Sequence, residues 1–115
     1  MANFTIETKQ VGDAFIIRSH GYLDENGGAI VLDAVQKAFP SGAKNFILNF
    51  SDSPVINSQG IAQIIELSEM IVDEREGELG FVGLSELSSG VFKMVGLLQM
   101  AEVYSDEGEA LTEFS

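Results

Sequence analysis

The sequence has no cysteine, few basic residues and no long apolar segment, and each of these shortages excludes a class of protein. Without cysteine there is no disulfide framework, no thiolate nucleophile and no cysteine-based zinc site. Six Lys and Arg residues stand against 18 Asp and Glu, and the net charge of −12 disfavours nucleic acid and anionic membrane surfaces as partners. No run of about 18 apolar residues is present to insert into a bilayer. Polar residues interrupt the first positions, which disfavours a secretory leader and predicts a cytoplasmic protein.

The residues that are present predict one folded domain spanning 1–115. The chain of 115 residues is 45% hydrophobic, which is enough to bury a core and too short for two ordinary domains. Near the start, apolar residues alternate with polar ones over roughly 3–9 and 13–20. The segment Val11-Gly12-Asp13 between them has the composition of a tight turn, so an antiparallel hairpin is expected.

The rest of the chain alternates between helical and strand-like patterns. Helical spacing of apolar residues predicts helices over 29–39, about 59–75, around 87–95 and over 107–114, the last with Asp106 as a cap. Short apolar runs predict buried strands over 45–50 and 79–82, and an edge strand over 102–104. A hairpin followed by alternating helices and strands predicts an α/β domain whose later strands are parallel.

The segment from Ile47 to Gly60 joins a buried strand to the second long helix and carries the most information. Ser58 lies where this helix is expected to begin, so its hydroxyl is predicted to cap the free amides of the first turn. The same position favours anions because the helix dipole is positive there, and Gly60 lets a backbone or a phosphate approach closely. Ser58 could therefore be a simple cap, worth about 1 kcal/mol, a phosphate acceptor, or both.

Four short motifs resemble the STAS domain, the fold shared by bacterial anti-sigma factor antagonists and sulfate-transporter tails. They occur in the family's order and spacing: Gly21-Tyr22-Leu23-Asp24, the segment 47–60, Phe81-Val82-Gly83-Leu84-Ser85 and Val95-Gly96-Leu97. The resemblance implies a STAS fold of order β-β-α-β-α-β-α-β-α, with a mostly parallel central sheet and helices packed largely on one face.

The resemblance also implies a regulatory protein that binds another protein, without catalysis, cofactor or metal. In the family, a serine at the position of Ser58 is phosphorylated by a partner anti-sigma factor that is a serine kinase with a histidine-kinase-like ATPase fold, and phosphorylation releases that partner. A phosphatase is a possible second partner. The predicted phosphorylation site is Ser58, and Asp24, Asn57, Gln59 and Gly60 are predicted to share its partner-binding surface.

Three residues depart from the family pattern near Ser58. Asn57 replaces an Asp before the serine, Gln59 replaces a Ser or Thr after it, and Asn49 replaces an Asp at the end of the preceding strand. An asparagine can orient a hydroxyl but cannot take its proton. The alternative is therefore a STAS scaffold, or a transporter-associated regulatory subunit, that binds its partner constitutively and is not phosphorylated.

The other alternative function is a small enzyme or ligand carrier, but the sequence has no recognisable catalytic or cofactor-binding motif to support it. His20 is the only histidine, has no acidic or histidine cluster at ligand spacing, and is expected to be an ordinary, partly exposed residue. The glycine pairs do not form a phosphate loop. The third helix carries more apolar residues than a small helix needs, which predicts core plus rim or, alternatively, a partner or self-association patch: Phe92, Met94, Leu97, Leu98 and Met100.

Overall fold

A computed structural model describes residues 3–114 and begins with the expected hairpin. Strands β1 (Thr5–Val11) and β2 (Ala14–His20) pair antiparallel around a two-residue turn. Gly12 in this turn has φ +62°, which a residue without a side chain adopts freely. Because the turn is so short, β1 continues two residues beyond its predicted end.

The remaining elements follow in the predicted order. They are α1 (Glu25–Ala38), β3 (Asn45–Asp52), α2 (Ser58–Glu69), β4 (Leu79–Val82), α3 (Glu86–Met94), β5 (Glu102–Tyr104) and α4 (Glu107–Glu113). Short 3-10 turns follow α1 and α3, and one π-helical turn (Met70–Glu74) extends α2. The strands form one sheet of order β1-β2-β3-β4-β5, in which every pair after the hairpin is parallel.

Helix α1 begins four residues before the predicted start. Gly27 and Gly28 both lie in the first turn of α1 and are buried. A Cβ added to Gly28 would lie 2.7 Å from the Gln63 side chain of α2. The glycine pair therefore allows α1 to pack closely against its neighbours.

The sheet separates two apolar clusters of unequal size. The larger one contains residues from the hairpin, β3 and β4 beneath α1, α2 and α3, with three mutually packed rings at its centre: Phe50, Phe81 and Phe92. The smaller one lies on the opposite face, where α4 covers Ile16, Ile47 and Val82 with Ala110. Strand β3 is thus buried on both faces, as predicted, and α1, α2 and α3 share one face while α4 covers the other.

The apolar residues near the end of α3 divide between core and surface. Phe92 and Leu97 are buried in the larger cluster, whereas the Met94 side chain is 83% exposed. Among residues 3–114 no helix is long and apolar enough to span a membrane.

Candidate functional site

Two chain segments meet at the carboxyl ends of β2 and β3. The peptide N–H of Leu23 donates to the carbonyl oxygen of Val55 at 3.1 Å, and the N–H of Asn57 donates to the carbonyl oxygen of Leu23 at 3.1 Å. These bonds form a parallel bridge between Leu23 and Ile56. The bridge fixes where the chain enters α1 and α2, so the two helices begin side by side.

Each of these helices is capped by the residue just before it. A carboxylate oxygen of Asp24 accepts from the N–H of Gly27 at 2.9 Å, and Oδ1 of Asn57 accepts from the N–H of Gly60 at 2.9 Å. The prediction that Ser58 caps α2 is therefore wrong, because Asn57 makes that bond. Asparagine and serine are comparable caps, and the amide oxygen of Asn57 already occupies the amide that the Ser58 hydroxyl was expected to bind.

Ser58 is instead the first residue of α2 and is exposed. Across residues 3–114 no hydrogen bond engages its hydroxyl. The first turn of α2 contains no acidic residue, and the dipole and free amides of a helix start favour negative charge. The Ser58 oxygen is thus exposed at a helix start whose electrostatics favour negative charge.

Gly60 allows α2 to approach the other segment closely. A Cβ added to Gly60 would lie 2.4 Å from the carbonyl oxygen of Leu23 and 2.7 Å from its Cδ2. No real side chain fits at these distances, so the expectation of a close backbone approach at Gly60 is confirmed.

The structure brings together all five residues predicted to form the partner-binding surface. Asp24 and Asn57 flank the bridge, while Ser58, Gln59 and Gly60 form the first turn of α2. Asp24 and Asn57 are half-buried, Ser58 and Gln59 are exposed, and Gly60 is buried. Their common location is a property of the fold, whereas their role in binding remains a prediction.

The Asn49 side chain lies on the sheet face opposite α2, where it is bound to α4 and to Ser51. Its Nδ2 donates to Oε2 of Glu107 at 2.8 Å, on the sheet face that α4 covers. Its Oδ1 accepts from the backbone N–H of Ser51 at 3.0 Å and from the Ser51 hydroxyl at 2.6 Å. The Asn49 side-chain amide therefore helps to hold α4 against the sheet.

Arg18 completes this polar cluster. Its Nε and Nη2 donate to the two oxygens of Glu107 at 2.8 and 2.7 Å, a bidentate pair between β2 and α4. The hydrogen bond from Arg18 is the main cause that lowers the pKa of Glu107, and the bond from Asn49 acts in the same direction; partial burial opposes both. The same pairing raises the pKa of Arg18.

His20 is partly exposed, as expected, but it has two acidic partners. Its Nδ1 lies 2.8 Å from Oδ2 of Asp52, and its Nε2 lies 2.7 Å from Oε1 of Glu7. These contacts tie β1 to the end of β3, directly before the loop that leads to Ser58.

An exposed apolar surface beside the bridge escaped the sequence analysis. Tyr22 is 52% exposed and Val55 is 50% exposed. The sequence did contain an indication of this surface. Tyr22 occupies the variable position of the motif 21–24, and an exposed aromatic residue in a loop is typical of binding surfaces. Apolar content alone does not distinguish such a residue from the core.

Comparison with known proteins agrees with this architecture. The family model described as "STAS domain" matches residues 5–110. No curated protein matches the chain significantly. Similar solved structures include an anti-sigma factor antagonist from Mycobacterium paratuberculosis, with TM-score 0.81, 16% identity and coverage of 97% of this chain and 94% of that chain.

Two further structures have the same fold. The Bacillus cell fate determinant SpoIIAA in its phosphorylated form gives TM-score 0.76 at 19% identity, covering 94% of this chain and 97% of that chain. RsbS from Moorella thermoacetica, solved as a point variant, gives TM-score 0.78 at 14% identity, covering 94% and 92%. The predicted order and the parallel sheet are confirmed, and the chain belongs to the STAS domain family.

Proposed function

We propose that this protein is an anti-sigma factor antagonist that binds an anti-sigma factor with serine-kinase activity and releases it when Ser58 is phosphorylated. The observation that carries the proposal is the exposed Ser58 hydroxyl at the start of α2, which no group within residues 3–114 hydrogen-bonds. Structural neighbours named as anti-sigma factor antagonists support it, one of them solved in a phosphorylated form. A partner that controls a sigma factor would be met in the cytoplasm.

Phosphorylation would change the surface and leave the fold intact. A phosphoserine adds about −1.5 to −2 charge units at neutral pH, which the start of α2 tolerates. A kinase that transfers phosphate to Ser58 must bring its nucleotide to this oxygen, so the product phosphoserine faces the phosphates of the bound nucleotide. The like charges and the loss of hydration then weaken the complex.

Asn57 cannot act as the base for phosphoryl transfer to Ser58. Its Oδ1 is bound to the N–H of Gly60, and an amide does not accept a proton as a base. The group that removes the Ser58 proton during phosphoryl transfer is therefore supplied by the kinase, and the antagonist contributes position and access.

The test uses the full chain, Mg-ATP and the serine-kinase anti-sigma factor encoded in the same genome. We expect the intact mass of the wild-type chain to increase by one phosphoryl group, and the phosphorylated form to dissociate from the kinase. Ser58→Ala should remain unmodified and bound, and Ser51→Ala, which removes another exposed serine, should be modified like wild type.

The alternative is a constitutive STAS scaffold, or a transporter-associated regulatory subunit, and it is favoured by the amide side chains of Asn57 and Gln59. It predicts that a kinase able to bind the chain adds no phosphate. It also predicts that Ser58→Asp binds as tightly as wild type, whereas a phosphorylation switch predicts much weaker binding.

A further inference from the structure

Tyr22 and Val55 point outward together because of the bridge beneath them. Leu23 and Ile56 are opposite each other in parallel register, and Leu23 is fully buried with Ile56 packed against the same core. Side chains alternate along an extended segment, so the neighbours of this pair face the opposite way. Tyr22 and Val55 thus form an exposed apolar pair beside the start of α2.

Tyr22 separates two depressions in this surface. The first, about 560 Å³, is lined by Gly21, Tyr22, Asp52, Pro54 and Val55. The second, about 650 Å³, lies between Tyr22 and the first turns of α1 and is also lined by Phe4, Asp24 and Ile30. We call these two depressions and the ring between them the Tyr22 surface.

The charged side chains of the Tyr22 surface are all acidic in the described chain. Asp52 lines the first depression and Asp24 the second, and neither depression is lined by Lys or Arg among residues 3–114. One oxygen of Asp24 binds the Gly27 amide, and one oxygen of Asp52 binds His20. The second oxygen of each carboxylate has no hydrogen-bond donor within residues 3–114, so each can accept from a visiting donor.

We propose that the Tyr22 surface binds a segment of the partner in which an aliphatic side chain is flanked by arginine or lysine. The assignment of that segment to the anti-sigma factor rests on the proposed function. The apolar side chain packs against the Tyr22 ring and Val55, and the two cations pair with Asp24 and Asp52. Tyrosine and arginine are among the residues most enriched where binding energy concentrates, and opposite charges around an apolar centre set orientation and selectivity.

The first experiment measures binding of the genome's cognate anti-sigma factor by calorimetry. Tyr22→Ala should weaken binding at least about tenfold, as loss of a central aromatic contact does. Val103→Ala is the matched control, because Val103 is 49% exposed and lies on β5 at the far end of the sheet. This control should bind like wild type, and thermal unfolding should show that both variants are folded.

The charge contribution is tested by Asp24→Asn combined with Asp52→Asn. Asparagine retains the cap of α1, so the double variant removes charge while keeping the helix start. We expect weaker binding and a shallower dependence of Kd on salt than in wild type. Wild-type affinity with an unchanged salt dependence would overturn the proposal.

A peptide experiment separates this proposal from the proposed function. A blocked Gly-Arg-Leu-Arg-Gly peptide at millimolar concentration should shift the amide signals of Gly21, Tyr22 and Val55, and Gly-Glu-Leu-Glu-Gly should not. Equal shifts from both peptides, or shifts scattered over the protein, would overturn the assignment of the Tyr22 surface. If wild type binds the anti-sigma factor but Tyr22→Ala binds equally well, the surface is wrong and the proposed function stands. If the peptide binds but the anti-sigma factor does not, the proposed function is wrong and the surface stands.

Discussion

Asn49→Asp tests the account of the polar cluster that attaches α4. In wild type, Nδ2 of Asn49 donates to Glu107 at 2.8 Å, while Oδ1 accepts two bonds from Ser51. An aspartate keeps an oxygen for Ser51, so the substitution alters only the side facing Glu107. The donor disappears and a second carboxylate takes its place.

The expected loss of stability follows from two effects. A hydrogen bond to a charged group contributes about 1.5–3 kcal/mol, and the lower value applies because the cluster is partly exposed. Two carboxylates at the present separation of 2.8 Å repel by about 1.5 kcal/mol even with the dielectric constant of water. Arg18 bonds to the same Glu107 and offsets part of this repulsion. We expect Asn49→Asp to lower the free energy of unfolding by about 2 kcal/mol at pH 7.

Urea unfolding followed by circular dichroism measures the change, and a second substitution supplies the control. Asn49→Asp together with Glu107→Gln restores one carboxylate, one amide and one guanidinium, so it should recover at least half of the lost stability. The deficit of the single variant should shrink below about pH 4.5, where one carboxyl group takes up a proton. A single variant as stable as wild type at pH 7, or no recovery in the double variant, would refute this role for Asn49.

Three further predictions concern the Glu107 ion pair, the close approach at Gly60 and the cap of α2. The pKa of Glu107 is lowered in the folded protein, so ionised Glu107 contributes to the free energy of unfolding at neutral pH. This contribution is lost as the pH falls from the ordinary pKa of 4.5 through the folded pKa. Glu107→Gln should therefore flatten the acidic part of the stability–pH curve measured by urea unfolding. Gly60→Ala should destabilise the protein by about 3 kcal/mol or prevent folding, because the added Cβ would collide with the carbonyl oxygen of Leu23. The control is Gly90→Ala in α3, where the added Cβ has open space, and it should stabilise by about 0.5–1 kcal/mol in the same assay. Asn57→Ala should cost about 1 kcal/mol through the lost cap and Ser58→Ala close to nothing; the reverse order in thermal unfolding would show that Ser58 is the cap after all.

Local patterns in the sequence were sufficient to predict the order of elements. The alternation around Gly12 gave the hairpin, and the nearly continuous apolar run from Asn45 gave a strand buried on both faces. These features depend on neighbours within one element. The misplaced start of α1 has a different cause, since glycine ordinarily weakens a helix, and only contact with Gln63 on another element explains Gly28 inside one.

The errors at the site come from contacts between residues distant in sequence. Asn49 and Glu107 are 58 positions apart, so no spacing rule connects them, and the sequence pattern placed Asn49 with the predicted phosphorylation site. The exposure of Tyr22 likewise depends on the bridge between Leu23 and Ile56, which brings two loops into register. The sequence predicted which residues meet at the carboxyl ends of β2 and β3. Tertiary contacts determine which face of the sheet each side chain lies on.

The division of roles between Asn57 and Ser58 bears on the proposed regulation through Ser58. A serine that caps its own helix has its hydroxyl bound to a backbone amide, and a kinase must break that bond before it can modify the oxygen. Here Asn57 makes the capping bond and Ser58 is left exposed one residue later. Helix stability and accessibility of the hydroxyl are therefore carried by different side chains. Asn57 in place of the family's aspartate is thus compatible with the proposed phosphorylation of Ser58, because an amide caps α2 without placing a negative charge beside that hydroxyl.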